Sequence, residues 1–141
     1  MVHIEEYSKD VVKAFVENQK YRDTPAFLVL DACFNDTEWT KHQAIRTVFL
    51  NGRNFNIFSL IAMSYDALPV SLRANCDYVF IAKTDSALER EKLYNNYAGI
   101  FPTQTEFTAA MDALQTHEFL VLNYRTNSNA IEDVVSWYKA D

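Results

Sequence analysis

The chain has 141 residues, 49% of them hydrophobic, with 13 basic and 19 acidic side chains and a net charge of −6. This suits one globular domain over residues 1–141 and excludes a disordered chain. No two basic residues are adjacent, which argues against a solitary nucleic-acid binder, because phosphate backbones reward clustered Lys and Arg.

The predicted elements alternate between helix and strand. Ile4, Tyr7, Val11, Val12, Phe15 and Val16 recur at helical spacing and predict a helix over 4–20. The run Phe27-Leu28-Val29-Leu30, closed by Asp31, reads as a buried strand. Asp36 and Thr37 are cap residues for a second helix carrying Trp39, Ile45, Val48 and Phe49, which Asn51-Gly52 ends. Residues 55–63 are apolar on nearly both faces, as a central parallel strand would be. A short turn or helix over 69–74 leads to a strand over 78–82. Helices follow over 86–97 and 104–116, then a strand over 118–122 and a last helix over 130–139. Such alternation predicts an α/β fold, a mainly parallel sheet with flanking helices.

Composition sets further limits. Gly52 and Gly99 stand far apart, so no glycine-rich loop of the GxxxxGK[ST] or GxGxxG type exists here. Two cysteines, Cys33 and Cys76, make no disulfide framework and read as buried thiols. The first ten residues carry acids and no apolar signal segment. No apolar run approaches the ~18 residues of a membrane span. An intracellular protein with no membrane partner is the expectation.

Ligands of open parallel sheets sit beyond the carboxyl ends of the strands. The polar residues that follow each apolar run are therefore the candidates: Asp31, Ser64, Lys83 to Asp85, Asn123 and Arg125. Four apolar residues and an Asp form a Walker B-type pattern, in which a carboxylate held at a strand tip can ligate Mg²⁺ directly or through water. Turns also favour Asp at strand ends, and both readings fit Asp31. Cys33, His42, His117 and Asp77 are the residue types of a cysteine hydrolase, without its local signature. Tyr94, Tyr97 and Tyr124 could stack on bases or pack half-buried. Trp137, with Val134 and Tyr138, could cover an exposed edge or make a subunit contact, with core packing the default, and Glu89-Arg90-Glu91-Lys92 reads as a solvated helix face with Glu89 pairing to Lys92.

Three stretches carry a resemblance. They are Leu30-Asp31-Ala32-Cys33, then Gly52-Arg53-Asn54, then Leu72-Arg73-Ala74-Asn75-Cys76-Asp77. Together they resemble the genome-packaging ATPases of nucleocytoplasmic large DNA viruses, the poxvirus-like group in the FtsK–HerA branch of P-loop NTPases. Those proteins show an apolar strand ending Asp-Asp-Cys, then Gly-Arg-His, then Leu-Arg-x-Asn-x-Asp. The resemblance covers roughly residues 10–125 and only the family's part from just before Walker B to the C-terminus.

The resemblance implies part of a P-loop NTPase-like three-layer sandwich that lacks its Walker A half. It implies that Asp31 is the metal-site and cofactor-binding carboxylate, and that Ser64 lies near the sensor position, which is usually Gln. It implies that Arg73 is a candidate arginine finger, for which a salt bridge to Asp77 or another acid is the alternative role. Ala32 stands where the family carries a second acid that works on the attacking water, and alanine has no group for that work. Asn54 replaces the usual His. The implied function is ATP-driven translocation of a genome into a capsid. With its P-loop missing, the chain is expected not to hydrolyse ATP alone. Mg²⁺ and ATP are expected only once a P-loop-bearing partner completes the site. The implied partners are a homo-oligomer or a P-loop-bearing ATPase subunit, with capsid components a further option and DNA only in an assembled ring. The implied location is host cytoplasm, virus factory or virion. The alternative is a non-catalytic module that binds an intact ATPase subunit or a capsid component.

Overall fold

The computed structural model describes residues 6–31, 38–65 and 68–141. The chain divides into two compact units, residues 1–75 and 76–141.

In the first unit, α1 (Lys9–Gln19) starts at Ser8, whose side chain accepts from the Val11 amide, a capping arrangement that satisfies an otherwise orphaned donor. Buried Gln19 donates its side-chain amide to the Thr24 carbonyl at 2.6 Å and ties the helix to the turn before β1 (Ala26–Asp31). A 3-10 turn over Trp39–Lys41 leads into α2 (Gln43–Asn51). The expected caps Asp36 and Thr37 lie outside the described residues. Gly52 does not provide the left-handed stop the sequence suggests: its φ is −53°, and a second 3-10 turn, Gly52–Phe55, follows. Asn56 takes the left-handed position instead, at φ 53°, a conformation that Asn tolerates better than most residues. Its carbonyl accepts the Ala26 amide at 2.9 Å, so the turn sets the start of both strands.

β2 (Ile57–Ala62) pairs with β1 in parallel, from Ala26 opposite Ile57 to Asp31 opposite Ala62. The short α3 (Val70–Arg73) closes the unit. Val12 and Val16 of α1, Ile45 and Val48 of α2, Leu30, Ile57 and Leu72 are all buried.

The second unit differs from the expected pattern in two ways. β3 (Tyr78–Ala82) and β4 (Glu118–Asn123) are antiparallel, with Ala82 opposite Phe119. The two predicted helices lie between them, α4 (Ala87–Tyr97) and α5 (Gln104–Ala113). The chain therefore enters β4 at the end where it left β3. The predicted last helix is also corrected. Only α6 (Ile131–Val134) is helical, and β5 (Val135–Lys139) pairs antiparallel with β4. Val135, Trp137 and Tyr138 are β-favouring residues, and packing against a neighbouring strand is what that preference expresses. The α/β class stands, with its parallel pairing in the first unit.

Both long helices of the second unit start at side-chain caps. The Ser86 side chain accepts from the Glu89 amide, and Thr103 and Glu106 form a reciprocal capping box. Phe107, Met111 and Leu122 are fully buried, together with Ile81, Leu93 and Leu120.

Candidate functional site

Parallel pairing sends both strands of the first unit to the same edge. Asp31 ends β1 beside Ala62, the last residue of β2, and Ser64 follows two residues later. The register thus brings Asp31 and Ser64 to one carboxyl edge, both exposed. An exposed carboxylate on a rigid strand tip is the donor that Mg²⁺ takes, since the ion keeps several waters and uses one or two carboxylates. Arg73 lies on another element. It ends α3, which packs on α2, and it is half-buried with a polar or electrostatic partner. Ala32 lies outside the described residues, as does Cys33.

The other strand-end candidates have structural work. The Lys83 ammonium donates to the carbonyls of Leu114 at 2.9 Å and Asp112 at 3.3 Å. A cation on these last carbonyls matches the negative end of the α5 dipole. Arg90 is not on a solvated face. Its side chain is 11% exposed, bonds the Thr84 carbonyl at 2.7 Å and pairs with Asp112 at 2.7 Å. Glu89 accepts from the Thr84 hydroxyl. His42 meets the Tyr7 hydroxyl at 2.7 Å with the rings stacked. His117 holds φ 63° at the entry to β4, where its carbonyl accepts from Ala140. Cys33, the nucleophile of the hydrolase pattern, lies outside the described residues. Among the described residues no group of three His, Cys, Asp or Glu side chains could hold a metal ion.

Tyr94 packs against Phe107 and donates to the Phe101 carbonyl. Trp137, expected in the core, is 65% exposed on the edge strand β5. A polar cleft of about 470 Å³ in the second unit is lined by Asn95, Asn96, Tyr97, Asn123, Tyr124 and Asn129 among others. The sequence singled out Asn123, Tyr97 and Tyr124 separately, and gave no sign that they share a cleft with Asn95, Asn96 and Asn129.

Burial pushes the Cys76 thiol up, and Tyr124 is raised by burial and then by the charge of Cys76. A group raised in the folded state contributes stability that is complete below its unfolded value and is lost as pH rises through its folded value. Unfolding midpoints are therefore expected to fall as pH climbs past the ordinary thiol value of about 8.5. Cys76→Ser, which removes the ionisation, should flatten that fall in a denaturation series between about pH 8 and 10. An unchanged slope would refute the assignment.

No family model matches the sequence. The chain is 35% identical over 121 residues to an uncharacterized protein of Acanthamoeba polyphaga mimivirus, covering 84% of this chain and 43% of that protein. It is 33% identical over 144 residues to an uncharacterized protein of Invertebrate iridescent virus 3, covering 96% of this chain and 55% of that protein. The chain thus spans about half the length of these curated relatives. Among solved structures, the DNA-packaging ATPase of Sulfolobus turreted icosahedral virus superposes with a TM-score of 0.69 at 13% identity, over 99% of this chain and 65% of that one. The fold is similar to that of a viral packaging NTPase. A second such structure, the genome packaging NTPase of Sulfolobus turreted icosahedral virus 2 in complex with AMPPCP, gives a TM-score of 0.67 at 11% identity, over 96% of this chain and 66% of that one. Among the described residues no helix is long and apolar enough to cross a membrane.

Proposed function

We propose that this chain is the Walker B-bearing part of a viral DNA-packaging ATPase of the FtsK–HerA type. The observation that carries the reading is Asp31 at the carboxyl edge of a parallel pair, within a fold similar to that of nucleotide-binding packaging NTPases. In this reading Asp31 holds Mg²⁺ and Ser64 lies within reach of the nucleotide's phosphate end. Arg73 serves a neighbouring subunit, where a guanidinium offsets charge developing in phosphoryl transfer. Mg²⁺ held by Asp31 would supply positive charge against the phosphates. The P-loop comes from sequence outside these 141 residues, on the same polypeptide or on another. The site of action is the virus factory or the virion, where subunits would assemble and engage DNA.

The test is ATP hydrolysis by the chain alone and by the chain co-expressed with the part of the mimivirus relative that lies outside the matched stretch. The chain alone should show no turnover above background, and the pair should hydrolyse ATP. Background turnover in both would contradict the reading. It would favour a non-catalytic module that binds an ATPase subunit or a capsid component, the alternative that Ala32, in place of a second acid, supports.

A further inference from the structure

The cleft of the second unit takes its lining from the end of α4, the end of β4 and the loop that follows. Asn95 and Asn96 come from the first, Asn123 from the second, and Thr126, Ser128 and Asn129 from the loop. Some of these groups are already oriented. The Asn123 side-chain oxygen accepts the Arg125 amide at 3.0 Å, which leaves its NH₂ to donate elsewhere. The hydroxyl oxygens of Thr126 and Ser128 accept the amides of Ser128 and Ala130, at 3.2 and 3.1 Å, so each O–H is left to donate. The side chains of Asn95, Asn96 and Asn129 have no partner among the described residues.

Gly99 lines the same cleft, and its backbone does not require glycine. Among the described residues no glycine takes a positive φ, so Gly99 is not the left-handed helix stop that usually calls for one. A Cβ at Gly99 would meet no atom within 4 Å. Glycine costs backbone entropy, and here, with no conformational need behind it, it leaves open the space a side chain would fill. The cleft volume of about 470 Å³ lies within the ~300–1,000 Å³ of small-molecule sites.

The lining selects its ligand by exclusion. Among the described residues no charged side chain lines the cleft, so an anion or a cation would leave water without a charge-assisted partner. An apolar ligand would strip water from the amides and hydroxyls and return no hydrogen bond. What fits is a neutral molecule with donors and acceptors on several sides. A nucleobase or a peptide segment offers them along its edges. A sugar ring carries hydroxyls around its whole rim, and each both donates and accepts. A side-chain amide, with a donor and an acceptor side by side, matches two neighbouring hydroxyls. Tyr97 and Tyr124 add aromatic surface for the C–H faces of the ring. We propose that this cleft is a binding site for a neutral saccharide, held by Asn95, Asn96, Asn123 and Asn129. Such a site does not depend on whether the chain contributes to an ATPase.

The test is saturation-transfer NMR of the chain with a panel of neutral disaccharides: maltose, cellobiose, lactose and diacetylchitobiose. At least one should bind in the millimolar range. Its binding should be lost in Gly99→Leu, which fills the open space. It should weaken several-fold in Asn96→Ala, which removes an amide the fold does not use. Asn127→Ala, at an exposed neighbour outside the lining, should leave it unchanged. Circular dichroism confirms that each variant folds. No binding by any member of the panel, or binding that Gly99→Leu and Asn96→Ala both leave intact, would overturn the proposal. So would binding of adenosine or thymidine that Gly99→Leu abolishes while no disaccharide binds, since the cleft would then take a base.

Discussion

Phe107→Ala is expected to lower the thermal midpoint of the second unit by at least ~10 °C. Phe107 has no exposed surface and is the largest fully buried side chain among the described residues. Its ring lies 5.5 Å from Phe101, edge to face, and 6.0 Å from Tyr94. Truncation removes the buried ring and leaves a cavity, which together cost about 3–5 kcal/mol. Small domains hold roughly 5–15 kcal/mol in all, so this one change takes a large share of the total. The control is Phe80→Ala on β3. Phe80 is 51% exposed and meets Tyr138 edge to face at 6.2 Å. Losing a half-exposed aromatic contact between strands that are not neighbours costs about 0.5–1.5 kcal/mol. Thermal unfolding followed by circular dichroism checks both, and equal shifts would contradict the described core.

Asp31→Ala is expected to reduce the ATP hydrolysis of the completed enzyme by about a hundredfold or more. The loss of one group that stabilises transition-state charge has that size. Asp31 is exposed at the end of β1, so the substitution removes a ligand without opening the core. Asp31→Asn keeps the shape, removes the charge and should fall nearly as far. Steady-state assays across Mg²⁺ concentrations read the effect. Full activity in both variants would leave Asp31 as a turn residue.

Much of the fold was legible from the chain itself. The apolar runs at 27–30, 78–82 and 118–122 became β1, β3 and β4 with shifts of at most one residue at either end. The predicted helices over 86–97 and 104–116 became Ala87–Tyr97 and Gln104–Ala113, each started by a local side-chain cap, Ser86 and Thr103. These features depend on near neighbours, which a sequence displays. Strand direction does not. That β4 runs against β3 follows from where α4 and α5 return the chain, and the apolar run of β4 is the same in either direction. Residues 130–139 show Ile131, Val134, Val135 and Tyr138 at helical spacing, but Val135 to Lys139 also alternate, and pairing with β4 decided between the two periods.

The candidate site was legible in part. Asp31 could be placed at a strand tip because an apolar run ended there, and the parallel register then brought Ser64 to the same edge. The tasks of Lys83 and Arg90 were hidden because their partners, Leu114 and Asp112, lie more than 20 residues away. The cleft of the second unit was hidden for the same reason, since α5 lies between Asn96 and Asn123 in the chain.

The most direct measurement is Mg²⁺-dependent ATP binding, read with a fluorescent ATP analogue, for the chain alone, for the segment of the mimivirus relative outside the matched stretch alone and for their one-to-one mixture. Tight binding should appear in the mixture only, weaken when Mg²⁺ is chelated, and lose that Mg²⁺ dependence in Asp31→Ala. A mixture that binds no better than the segment alone, or one whose Mg²⁺ dependence survives Asp31→Ala, would contradict the account.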